Sequence, residues 1–120
     1  MIPAMLSPTA TTLRPAADSL HSSRGYFLSD VSLDIPAPDT AVFRARLHGP
    51  ANSKVWVRAW LSNEIDGTLA EVVSDCLDAG ELATLTVKLV DPRTPEIACI
   101  RIESAPLATE HVVIIKLPNG

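Results

Sequence analysis

The sequence predicts an all-β fold, an antiparallel β-sandwich of about seven strands. Three observations lead there. Apolar and polar residues alternate with period two in most segments after Gly25. Turn-forming residues interrupt that alternation roughly every 12 residues, the spacing of sandwich strands. Gly25, Gly49, Gly67 and Gly80 all fall at segment boundaries and none inside a strand. No stretch sustains a 3.6-residue period over three turns.

Residues 1–24 form the first element, a flexible arm. They are rich in Pro, Ser, Thr and Ala and include Pro3, Pro8 and Pro15. A short helical turn over Pro15–Leu20 is compatible with proline at the first helical position. The sandwich domain then spans 25–120. Its first strand opens at Tyr26-Phe27-Leu28 and alternates at Val31, Leu33 and Ile35, and Pro36 and Pro38 end it.

The organising stretch is Ala41–Leu61, read as a hairpin. Val42–His48 is one strand, Gly49–Ser53 the turn and Lys54–Leu61 the other strand. Alternation puts Phe43, Ala45, Leu47, Val55, Val57, Ala59 and Leu61 on a core face. It puts Arg44, Arg46, Trp56, Arg58 and Trp60 on the opposite face. Both tryptophans of the chain then stand among three arginines.

Asp66-Gly67 marks the next turn, because both residues tolerate positive φ. Thr68–Leu77 reads as a strand, Asp78–Glu81 as a turn, and Leu82–Val90 as a strand. Asp91–Pro95 breaks the pattern. Glu96–Glu103 sets Ala98, Ile100 and Ile102 against Cys99, Arg101 and Glu103. After Ser104–Pro106, the apolar run His111–Leu117 reads as a strand buried on both faces.

Strand number and spacing resemble those of immunoglobulin-like and fibronectin type III modules. A jelly roll, which needs about eight strands, is the alternative. The paired cysteines around a core tryptophan that mark antibody-type domains are missing. The resemblance is architectural and implies no activity.

A chain of 120 residues is one domain and can bury a core without metal or disulfide help. Its net charge is −4, from 10 basic and 14 acidic side chains. Residues 40–60 hold Arg44, Arg46, Lys54 and Arg58 with no acid. Residues 61–81 hold Glu64, Asp66, Glu71, Asp75, Asp78 and Glu81 with no base. Pairing of opposite charges between neighbouring strands accounts for this most simply. A bipolar surface for head-to-tail assembly or an anionic ligand is the sharper reading. An isoelectric point near 5.2 argues against nucleic-acid binding. No run approaches the roughly 20 apolar residues of a membrane span. The lack of a signal-peptide pattern points to the cytoplasm.

Catalytic signatures are missing: there is no Gly-x-Ser-x-Gly, Walker or Gly-x-Gly-x-x-Gly pattern. His21, His48 and His111 share no metal-ligand spacing, and Cys76 and Cys99 form no CxxC. Buried free thiols are the expectation for the cysteines, with a disulfide as the alternative. No cofactor is expected. The chemistry therefore rests on Trp56-x-Arg58-x-Trp60. Successive side chains of one strand face stand about 7 Å apart, so indoles and guanidinium groups line up in a row. Tryptophan and arginine dominate binding hot spots, which points to a non-catalytic module for protein–protein contact or self-association. One alternative is a carbohydrate-binding module that stacks an acidic oligosaccharide on Trp56 and Trp60. Another is a small β-fold enzyme with a site assembled in space.

Overall fold

A computed structural model describes Leu6 and residues 12–15, 25–90, 93–105 and 108–117. The strands are β1 (Phe27–Ala37), β2 (Thr40–His48), β3 (Lys54–Asn63), β4 (Gly67–Val73), β5 (Leu77–Asp78), β6 (Leu82–Lys88), β7 (Ile97–Ala105) and β8 (Ala108–Lys116). They form two antiparallel sheets of a sandwich-like all-β fold. One has the order β1-β2-β6, the other β4-β3-β7-β8, with β5 also paired to β3. Among the described residues no helix is long and apolar enough to cross a membrane.

Residues 41–61 are not a hairpin. β2 pairs with β1 and β6, whereas β3 pairs with β4, β5 and β7. The segment Gly49–Ser53 is an arch that carries the chain from one sheet to the other. The alternation itself was sound: Phe43, Ala45, Leu47, Val55, Val57, Ala59 and Leu61 are all fully buried. Two one-sided apolar strands bury more of that surface by facing each other across a core than by lying side by side. Within the arch, Ser53 donates to the Pro50 carbonyl from both N–H (3.2 Å) and Oγ (2.6 Å), and Asn52 takes φ 63°.

A second crossing, β5 to β6, runs beside the first. The Gly80 N–H donates to the Leu47 carbonyl at 2.8 Å, Leu47 N–H to Glu81 at 2.9 Å, and Ala79 N–H to Ser53 at 3.1 Å. A two-stranded ribbon thus bends from one sheet into the other with its pairing almost unbroken. Gly49 lies inside that bend. A Cβ there would sit 2.9 Å from Tyr26 Cδ1 and 2.9 Å from Ser53 Oγ, so the ring packs directly on backbone.

The expected strand 68–77 is two strands on one edge of β3, which makes the count eight. At the break, the Ser74 N–H donates to the Val57 carbonyl (2.8 Å) and the Ser74 hydroxyl accepts from the Val57 N–H (3.0 Å). The side chain replaces the missing backbone acceptor. Strand β8 is an edge strand buried on one face, not two. His111, Val113 and Ile115 point inward, while Ile114 and Lys116 are exposed.

β1 runs through Pro36 to Ala37 instead of ending before it. It is an edge strand, where a residue without N–H is tolerated. A bulge opens where Ser29 pairs with Arg46 and Ser32 with Arg44. Two residues, Asp30 and Val31, oppose Ala45 alone, and Asp30 takes φ 52°. The extra residue brings both Leu28 and Leu33 onto the core face.

The described parts of the arm lie against this strand. Leu13 and Leu33 exchange backbone hydrogen bonds of 2.8 and 2.9 Å, and Thr12 Oγ1 donates to Asp34 at 2.7 Å. Leu6 is buried, and its N–H donates to Pro38 at 3.0 Å. Residues 16–24, including His21 and most of the anticipated helical turn, lie outside the described residues.

Two outcomes follow for urea denaturation. Gly49→Ala should lose about 1–3 kcal/mol by forcing a methyl group into the Tyr26 ring. Asp30→Val should lose about 1–2 kcal/mol, whereas Asp30→Gly should be neutral or stabilising, since only the former strains positive φ.

Candidate interaction face

The arch separates the five residues that the sequence groups together. The two inner faces meet in the core, so the outer faces point away from each other. Arg44 and Arg46 lie on the outside of the three-stranded sheet, and Trp56, Arg58 and Trp60 on the outside of the five-stranded sheet. A single Trp/Arg stripe of five residues does not exist. Arg44 donates to Asp34 at 2.6 Å, and Arg46 lies 3.9 Å from Asp30, all exposed. Exposed pairs of this kind contribute about 0–1 kcal/mol.

The outer face of the five-stranded sheet is different in kind. β7 lies beside β3 with Trp56 opposite Glu103, Arg58 opposite Arg101 and Trp60 opposite Cys99. On the other side of β3, Glu71 pairs with Trp60 and Val73 with Arg58. Beyond β7, Val112 lies opposite Arg101 and Ile114 opposite Cys99. The face therefore has an ionic centre inside an apolar surround.

Glu103 holds that centre. Its side chain is 1% exposed, and Oε2 accepts from Arg58 Nε at 3.0 Å and Arg101 Nε at 2.6 Å. Arg58 NH1 also donates to Glu71 at 2.9 Å. Hydrogen bonding to Glu103 raises the Arg58 pKa, with burial working against it. The Arg101 guanidinium carbon lies 5.4 Å from the Trp60 ring centroid, a cation–π contact worth about 0.5–1 kcal/mol. Both indoles are half-buried, while Val73 (43%) and Ile114 (56%) are exposed at the flanks.

These contacts set what the arginines are already engaged in. The Arg58 and Arg101 guanidinium groups already bind carboxylates within the sheet. An anionic sugar that took over Arg58 Nε or Arg101 Nε would displace Glu103, and breaking a buried pair costs about 3–5 kcal/mol. Trp56 and Trp60 are four residues apart, so about 13 Å of strand separates them with Arg58 between. Of the two oppositely charged stretches read from the sequence, Arg58 pairs with Glu71 and Lys54 with Asp78, whereas Arg44 and Arg46 face Asp34 and Asp30 of β1 and Asp66 takes Arg93 at 2.8 Å.

The two described histidines make contacts within the fold. His48 stacks on Phe27 with centroids 4.2 Å apart and shares a 2.6 Å hydrogen bond with Ser29 Oγ. His111 Nδ1 accepts from the Leu28 N–H at 3.0 Å, which joins the two sheets at their β1/β8 side. Cys76 is exposed and Cys99 buried, and both are free, so the expectation of two buried thiols holds for Cys99 alone. Among the described residues no group of three His, Cys, Asp or Glu could hold a metal ion. Compared with protein-family models and with curated proteins, the chain matches none.

The sequence reading missed Glu71, Val73, Arg101, Glu103 and Ile114 as members of this face. Its alternation did put Cys99, Arg101 and Glu103 on one side of their strand. Nothing local links β7 to β3, since Arg58 and Glu103 are 45 positions apart.

Glu103→Ala should destabilise the chain by about 2 kcal/mol in thermal or urea melts, because two half-buried guanidinium groups lose a charged hydrogen-bond acceptor and Arg58 keeps only Glu71. Thiol reagents should modify Cys76 rapidly and Cys99 only on unfolding. Burial pushes the Cys99 thiol up to about 11 from 9.0. A group raised by folding contributes its full stabilisation below the unfolded pKa and loses it as pH rises through the folded one. Stability should therefore fall more steeply between pH 9 and 11 in the native chain than in Cys99→Ala.

Proposed function

We propose that the chain is a non-catalytic interaction module, and that its contact surface is the outer face of the five-stranded sheet. The contrast between the two outer faces carries the reading. The three-stranded sheet turns Arg44, Arg46, Thr84, Thr86 and Lys88 to solvent, with exposed Leu82 (57%) beside them, and has no aromatic or ionic centre like that of the other face. The five-stranded sheet turns out two half-buried tryptophans flanked by exposed Val73 and Ile114, with its central charges neutralised. An apolar surround, aromatic anchors and internally paired arginines are features of protein-contact surfaces.

Sugar stacking is the weaker alternative, for the spacing and ion-pair reasons already given. An immunoglobulin-like or fibronectin type III arrangement would suit a binding role, as would a jelly roll, but neither architecture dictates one.

A benzophenone photo-crosslinking side chain substituted for Trp60 should capture a protein, or a second copy of the chain, in native extract. The same group substituted for Thr84 on the opposite face should not. Equal capture from both positions, or none from either, would overturn the assignment. Tryptophan fluorescence should stay unchanged on titration with neutral and acidic oligosaccharides.

A further inference from the structure

The two described histidines hold the same short piece of β1, one from each sheet. His48 on β2 stacks on Phe27 and shares a 2.6 Å hydrogen bond between Nε2 and Ser29 Oγ. His111 on β8 accepts the Leu28 N–H at Nδ1, at 3.0 Å, and is 6% exposed. Histidine is the side chain whose charge ordinarily changes between about pH 5 and 8. The two contacts differ in how they meet that change.

A serine hydroxyl both donates and accepts, so Ser29 can turn its proton away and keep its bond when His48 is protonated. A backbone N–H only donates. The Leu28 N–H therefore needs the lone pair on His111 Nδ1, which places the ring's single proton on Nε2. A second proton on the ring takes up that lone pair and sets two donors against each other. Leu28 is buried, and a buried N–H that loses its acceptor is costly.

The charged and titratable groups around His111 are few. On β8 the neighbouring Glu110 accepts from Ser104 Oγ at 2.6 Å. On β7 His111 lies opposite Ile102, while Arg101 and Glu103 bind each other on the outer face. At the start of β1 stand Leu28 and, before it, Tyr26, both buried; Asp30 is exposed and lies 3.9 Å from Arg46. Among the described residues Glu103 is the one buried carboxylate, and no lysine or arginine is buried. A carboxylate as near in the chain as Glu110 favours an imidazolium, whereas burial and the Leu28 N–H oppose it. Of these interactions, the bond to Leu28 is the one that protonation removes outright.

We infer that His111 is an acid-sensitive latch between the two sheets: protonation at Nδ1 releases Leu28 and opens the sandwich along its β1/β8 seam. The start of β1 stays in its own sheet, because Phe27, Leu28 and Ser29 are paired with His48, Leu47 and Arg46 of β2. The opening is between sheets and not along a ladder. An unfolded histidine takes its proton at about pH 6.5. The folded ring must give up a bond to do so, so the latch is closed above that value and loosens as pH falls below it. The device does not depend on what the outer face contacts.

Amide hydrogen exchange of the full chain by NMR, corrected for the intrinsic pH dependence of exchange, tests it. From about pH 7.5 to 5, protection of the Leu28 amide should fall, by at most about tenfold per pH unit for one coupled proton. The His111 ring nitrogens should titrate over the same range, while protection across the β3/β7 ladder holds. His111→Gln offers an amide oxygen as acceptor and no titrating proton, and should make Leu28 protection independent of pH. His48→Gln should leave the fall in place. If His111→Gln does not fold, the coincidence of ring titration and Leu28 exchange in the native chain still tests the latch. Leu28 protection that persists while the His111 ring titrates would overturn the inference, as would a ring that stays neutral down to about pH 5. So would an equal fall in His111→Gln, or a fall shared by the β3/β7 amides, which would report global acid unfolding.

Discussion

The fold depends on a ribbon that leaves one sheet and enters the other without giving up its hydrogen bonds. β2 and β6 are paired on one side of the bend, β3 and β5 on the other, and residues 47, 53 and 79–81 bridge the corner. Corners are costly places for a β-protein, since a crossing strand strips its backbone of partners. Here each crossing strand supplies the other's partners. The tight approach of Tyr26 to Gly49 closes the corner from the β1 side.

Once that bend exists, much of the remaining architecture follows. The apolar faces of β2 and β3 oppose each other, and β1, β6, β7 and β8 add their own inward rows to the same core. The outer faces become chemically independent. One remains polar, with exposed ion pairs that contribute little. The other collects both tryptophans and a carboxylate deep enough to need two arginines. A charge cluster of this kind adds less to net stability than to specificity, because an apolar replacement could pack as well. The Arg58–Glu103 bond runs between β3 and β7, so a two-residue slip of one strand past the other would break it, whereas Arg101 and Glu103 share β7 and would stay bonded.

The sequence made the secondary structure legible and the topology much less so. Period-two alternation identified the core residues of β2 and β3 correctly because it is a property of one strand at a time. It could not tell a hairpin from an arch. Gly49–Ser53 has the composition of a tight turn, and its five residues suit either connection. The choice is made by residues 79–81, more than 25 positions away. Arg44 and Arg46 were grouped with the tryptophans for that reason alone. Arg101 and Glu103 were overlooked because β7 joins β3 only through distant pairing. The split of the 68–77 strand turned on a single hydroxyl at Ser74, which looks like any polar strand residue in the sequence.

The bulge at Asp30 has a consequence for how the chain can vary. Alternating patterns on either side of it are out of phase by one residue, and the extra residue reconciles them. Tyr26 and Leu28 belong to one rhythm, Val31, Leu33 and Ile35 to the other. Losing one residue there would turn every side chain upstream inside out, while inserting one would do the same. The length of this short segment is therefore more tightly constrained than the identity of most of its residues.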